Sequence, residues 1–216
     1  MNTTLPLEAG NAAANRPARI LAIGRSETVL SELVTILREK GYAAVATNEF
    51  ERTLDLFDAR QLDLVVFGGM VPPATKEHLR DQISTRNPAV AFVQGYAGIP
   101  GLVAKQVEAA LNDGTAGPTA SATYDANSRS IGISLDRPRA VTVIAWWATS
   151  FTPPEPKSTS RVILDEELHA GAHTITIPDE VPAEASFATV SIGPSVHVFI
   201  VGPMPSGTTM ARFPNP

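Results

Sequence analysis

The sequence predicts a parallel α/β domain followed by an all-β antiparallel sandwich, and three observations carry that expectation. Between Arg19 and Asn112, short apolar runs alternate with segments of helical periodicity. From Ser121 onward, short strand-like runs follow one another with hardly any helix. Between the two lies NDGTAGPTA, a Gly/Thr/Pro/Ala stretch that reads as a linker. The expected organisation is a flexible leader over 1–16, an α/β domain over 17–112, a linker over 113–120, a sandwich over 121–202 and a Pro/Gly-rich tail over 203–216.

In the first domain, ARILAIG (18–24) reads as a buried strand. In the helix that follows, Val29, Leu30, Leu33, Val34, Ile36 and Leu37 supply an apolar stripe, and Gly41 suits its end. YAAVAT (42–47) is a second strand. Asn48 and Glu51 then have capping-box spacing before a helix ending near Ala59. LDLVVFG (62–68) is a third strand, and a helix over 75–85 follows the Pro72 and Pro73 punctuation. AVAFVQG (89–95) is a fourth strand and 101–111 a last helix. Strands that are apolar almost throughout, alternating with helices, imply a parallel sheet covered on both faces.

The second half offers seven strand candidates: 121–126, 130–135, 140–151, 160–164, 173–177, 186–192 and 195–201. Their spacing fits a sandwich of immunoglobulin or fibronectin type, without the Cys–Trp–Cys framework. In AVTVIAWWATSF, alternation puts Trp147 on the face of Val141, Val143 and Ala145, and Trp146 on that of Ile144 and Ala148. One Trp fills the sandwich core. The other is either covered by the first domain or exposed as a contact anchor, a role in which Trp is enriched. The adjoining FTPPEPKSTS, with Phe151, Pro153 and Pro154, favours extended geometry and is either a recognition element or a stiff connection.

With 216 residues, 44% of them hydrophobic, the chain fills real cores. A net charge of -5 and the lack of Lys/Arg clusters argue against nucleic-acid binding. The absence of cysteine excludes disulfides, thiolate nucleophiles and Cys-ligated metals, and suits a cytoplasmic location. The N-terminus lacks the pattern of a secretory signal, and no apolar run reaches the length of a membrane span. His169 and His173, after Asp165, Glu166 and Glu167, superficially resemble a metal cluster, but Gly171 and HTITI favour a polar inter-strand loop. His78 and His197 stand alone, and no nucleophile elbow or phosphate-loop motif is present.

RILAIGRSE before a helix, GYAAVATNEFERTLDLF, and then DLVVFGGMVPP resemble, in order and punctuation, the receiver domain of response regulators over about 19–112. The resemblance implies a flavodoxin-like fold with an acidic pair after the first strand and a phosphoacceptor Asp ending the third. It also implies a Thr or Ser after the fourth strand, a Lys after the fifth, and magnesium-assisted phosphoryl transfer to Asp. Carried over by position, the acidic pair falls on Gly24 and Arg25, the phosphoacceptor on Gly68, and the Thr/Ser position near Gln94. Glycine offers no side-chain ligand, and a cationic Arg25 repels magnesium. The fifth strand and its Lys have no clear counterpart, and Lys105 is a poor match.

A glycine at position 68 lets the strand end approach another segment closely or bend. The plainer alternative is that Gly68 and Gly69 only make a turn. The expected protein is a degenerate pseudo-receiver: a non-catalytic, phosphorylation-independent adaptor or regulator. It needs no cofactor and binds protein partners or itself, with the helix near Leu102 and Val103 and the segment from Trp146 to Pro154 as candidate interfaces. A small-ligand sensor or enzyme would instead use a crevice lined by Gly24, Arg25, Gly68, Gly69, Gln94 and Gly95 at the carboxyl ends of the strands. A third alternative is a structural subunit of a larger assembly.

Overall fold

The computed structural model describes residues 16–96, 98–112, 120–150 and 157–203. The first strand, β1 (Arg19–Ile23), feeds α1 (Glu27–Glu39), whose Ser26 side chain caps the helix by accepting from the Val29 amide. The helix ends on Gly41 at φ +88°, with Gly41 N–H donating to Arg38 O and Tyr42 N–H to Leu37 O. This double bond pattern is a Schellman motif, which needs the left-handed residue that glycine supplies.

After α1 come β2 (Ala43–Thr47), α2 (Thr53–Leu56), β3 (Leu64–Phe67), α3 (Pro73–Arg86), β4 (Ala91–Gln94) and α4 (Pro100–Asn112). The four strands form a parallel sheet in the order β2-β1-β3-β4. Alternation along each strand sends its side chains to opposite faces. On β1, Ile20 and Ala22 pack with Leu33 of α1 and Val107 of α4, whereas Leu21 and Ile23 pack with Leu79 and Ile83 of α3.

The expected capping box at Asn48 and Glu51 does not form. Asn48 instead donates to the Glu27 carboxylate, and a 3-10 turn at Phe50–Arg52 precedes the single-turn α2. Thr47 accepts from the Glu49 amide through its hydroxyl, so a local side-chain turn takes the backbone before a helix cap can.

The second domain has β5 (Ala120–Asp125), β6 (Ser130–Leu135), β7 (Arg139–Ser150), β8 (Lys157–Leu168), β9 (Gly171–Thr176), β10 (Ser186–Ile192) and β11 (Ser195–Gly202). They form two antiparallel sheets, β11-β10-β7-β8 and β5-β6-β9. Ile131 and Ile133 of one sheet meet Val141, Val143 and Val190 of the other, so a sandwich core lies between them. Neither sheet joins the parallel sheet of the first domain.

β8 extends well beyond the 160–164 segment that its apolar residues mark, because the twelve-residue β7 offers it a ladder along its whole length. Asp165, Glu166 and Glu167 consequently lie in a strand rather than a loop. At His169 and Ala170 the chain crosses from one sheet to the other, and His173 Nε2 donates to the His169 carbonyl at 2.8 Å. Among the described residues no group of three or more His, Cys, Asp or Glu side chains is placed to hold a metal. None of the described helices is long and apolar enough to cross a membrane.

Candidate functional site

The parallel sheet brings Gly24, Gly68, Gln94 and Gly95 together at the carboxyl ends of β1, β3 and β4. The strands continue to bond there one residue past their ladders: Gly68 N–H donates to Ile23 O at 2.8 Å and Gly95 N–H to Phe67 O at 2.9 Å. A Cβ on Gly68 would stand 3.3 Å from both Gly24 Cα and Ile23 O. Those neighbours are backbone and cannot swing aside, so glycine lets two strand ends close on each other.

Gln94 occupies the space beside them. Its Nε2 donates to Phe67 O at 3.0 Å and Gly95 O at 3.2 Å, while its Oε1 accepts from Lys76 Nζ at 2.9 Å. Lys76 comes from the first turn of α3 and is 4% exposed. Burial, with Arg80 nearby, pushes its ammonium below the usual lysine range. The crevice end of β3 is therefore covered by a cation and a carboxamide. Arg25 is exposed, with its guanidinium over the Phe50 ring at 5.9 Å from the centroid.

The free amides of α1 do not make an anion site, since Ser26 already serves as acceptor and Glu27 puts negative charge in the first turn. Lys105 lies elsewhere, on α4, where its Nζ reaches Glu108 at 2.9 Å and Ser191 Oγ at 3.3 Å.

A second arrangement closes the edge of the sheet. Gln106 of α4 donates through Nε2 to Gln94 O at 2.9 Å and accepts at Oε1 from Tyr96 N–H at 3.0 Å. Those two backbone groups flank Gly95, the pair a parallel neighbour strand would engage. The Gln106 carboxamide thus stands in for a peptide group of a further strand. Such a strand would need its crossover helix to carry the chain beyond β4. Instead α4 lies against α1 and β4, and its outer side meets the sandwich.

That meeting decides the fate of the candidate interface. Ile99 and Leu102 pack with Phe187, and Tyr96, Trp146 and Val198 close around them. The Tyr96 and Phe187 rings stack with centroids 5.5 Å apart. The Trp146 indole donates to Thr189 Oγ1 at 2.9 Å and lies on Gly101, where a Cβ would come within 2.4 Å of the ring. Leu102 and Val103 are 0% and 4% exposed, so they are unavailable to a partner: Leu102 serves the contact between domains and Val103 the α/β core.

Of the two alternatives for the tryptophans, the first domain covers Trp146, while Trp147 packs against the sandwich core. Phe151, Pro153 and Pro154 lie outside the described residues. Lys76 and Gln106 are the site residues that the sequence pattern did not single out. Each sits on the buried stripe of its helix, in register with Leu79 and Ile83 or with Leu102 and Val103.

No family model matches the chain, and no curated protein does. Solved structures give only weak likenesses. A β-glucosidase from Listeria innocua in complex with gluconolactone is 11% identical at a TM-score of 0.32, covering 88% of this chain and 46% of the enzyme. A β-glucosidase from Erythrobacter marinus is 5% identical at a TM-score of 0.31, with 85% and 46% covered. An Agrobacterium tumefaciens protein is 10% identical at a TM-score of 0.31, with 93% and 100% covered. The chain spans less than half the length of the glucosidases, and none of these three is a response regulator.

Proposed function

We propose that the protein is a non-catalytic, phosphorylation-independent adaptor or regulator, built on a receiver-like domain that has lost its phosphoacceptor site and acting through protein contacts or self-assembly. The strand order β2-β1-β3-β4 supports the kinship, being the first part of the flavodoxin-like order with the last strand omitted. The observation that carries the reading is the Lys76–Gln94 pair over Gly68. Where the resemblance calls for carboxylates around magnesium, the chain supplies two glycine backbones, a carboxamide and a buried ammonium.

Such a group of donors disfavours a divalent cation and leaves no oxygen nucleophile for phosphoryl transfer. The same pair fills the crevice that a small ligand would use. In the two-component family this end of the sheet is where a signal arrives; here it is fixed in one state by hydrogen bonds. The cytoplasmic setting expected from the sequence suits this reading.

The test is incubation of the full chain with magnesium and acetyl phosphate, followed by measurement of acid-labile phosphate. The expected result is no incorporation. Stoichiometric labelling, mapped to any residue of the crevice, would overturn the reading.

A further inference from the structure

β8 is an edge strand. It pairs with β7 on one side, and no strand lies on its other side among the described residues. It is twelve residues long and exposed over most of its length. Long exposed edges invite pairing with another chain.

The charges of β8 are segregated along it. Lys157 and Arg161 occupy its first half, Asp165, Glu166 and Glu167 its second, and Val162, Ile163 and Leu164 lie between. Val162 is 56% exposed. Laid parallel, two such strands would oppose like charges. Laid antiparallel, each basic half meets an acidic half around an apolar centre, which is the self-complementarity a two-fold contact requires.

Two features bear on whether the edge is usable. Val143 pairs with Leu164 and Ile144 with Val162, so Ile163 forms a bulge, a device that often blunts edges. Here the bulge sits near mid-strand, leaving Lys157 to Val162 and Leu164 to Leu168 regular on either side. A two-fold pairing sets the first half of one copy against the second half of the other, so the bulges fall near its centre. Meanwhile α4 lies across β10 and β11, with β7 between them and β8. Arg161 reaches Glu180 at 3.2 Å, but both side chains are about half exposed or more, and a pair of that kind gives way easily.

We propose that two copies of the chain pair antiparallel through β8, joining their four-stranded sheets into one continuous sheet. This rests on the adaptor reading and gives its self-assembly a surface and a partner, a second copy of the chain. A strand-edge contact buries less than a standard interface of roughly 1,600 Å², so the dimer is weak and concentration-dependent. Because its selectivity is electrostatic, salt shifts it toward monomer.

The experiment is sedimentation equilibrium of the full chain over a range of concentrations at low and high salt. Two charge-reversed variants accompany it: one carrying Lys157→Glu and Arg161→Glu, the other Asp165→Lys, Glu166→Lys and Glu167→Lys. Circular dichroism checks that both are folded. The wild type is expected to approach twice the monomer mass with rising concentration, each variant alone to remain monomeric, and their equimolar mixture to dimerise.

A wild type that stays monomeric throughout, variants that still self-associate, or a mixture that does not pair would each overturn the proposal. None of those results touches the acetyl phosphate assay, whereas labelling in that assay would sink the adaptor reading and leave the pairing measurement intact.

Discussion

The carboxamide of Gln106 replaces a peptide group at the sheet edge, and its removal leaves Gln94 O and Tyr96 N–H without partners in a covered site. Replacement by leucine is expected to lower the unfolding free energy by about 1–3 kcal/mol, read by urea denaturation. Gly68→Asp restores the acid that the receiver resemblance calls for, yet its Cβ would press on Gly24 and on the Ile23 carbonyl oxygen. That variant should be less stable than the wild type and still incorporate no acid-labile phosphate, because Gly24 and Arg25 offer no second carboxylate. The absence of acid at position 68 was legible in the sequence. The replacement was not, since a Gln or Lys in a helix is usually solvated and only its place on an apolar stripe hints otherwise. Lys76 falls seven residues before Ile83 on such a stripe, and Gln106 falls between Val103 and Val107.

At the scale of elements, α4 joins everything that surrounds it. Glu108 bonds Lys40 at 2.6 Å and Lys105 at 2.9 Å, tying α4 to the end of α1 and, through Ser191, to β10. Burial raises the Glu108 pKa, but the hydrogen bonds and charges of Lys40 and Lys105 outweigh it and hold the carboxyl below the usual carboxylate range. A depressed folded pKa contributes stability that is present above the unfolded value and lost as pH falls through the folded one. Stability should therefore decline in acid below the ordinary carboxylate pKa, and Glu108→Gln should flatten that limb of a pH–stability profile. Periodicity alone located the four parallel strands and the seven later ones, because burial on both faces, or alternation on one, leaves a strong imprint. Strand length was legible only where apolar residues ran to the end: the charged ends of β8 are held by the ladder to β7, a tertiary effect. Asn48 misled because a capping box read from spacing competes with Thr47 and Glu27, neighbours the spacing does not reveal.

For the whole molecule, the apolar contact of Trp146, Phe187, Ile99 and Leu102 makes the two domains one unit. Alternation sorted the tryptophans by face, but which one the first domain would cover depended on docking that no local pattern encodes. Trp146→Ala should cost about 3 kcal/mol. It should also split a single urea transition into two, with far-ultraviolet circular dichroism reporting the helices and the remaining Trp147 fluorescence reporting the sandwich. Docking also directs function outward: α4 is occupied within the chain, the crevice is filled by Lys76 and Gln94, and β8 remains open. The central claim, that the protein acts through surface contacts and not through crevice chemistry, is tested most directly by amide hydrogen exchange of the full chain. Exchange would be followed at increasing protein concentration, with and without magnesium and acetyl phosphate. The account predicts concentration-dependent protection along β8 and no change at Gly24, Gly68 or Gly95. Protection of those three amides on adding magnesium and acetyl phosphate, with β8 unaltered, would contradict it.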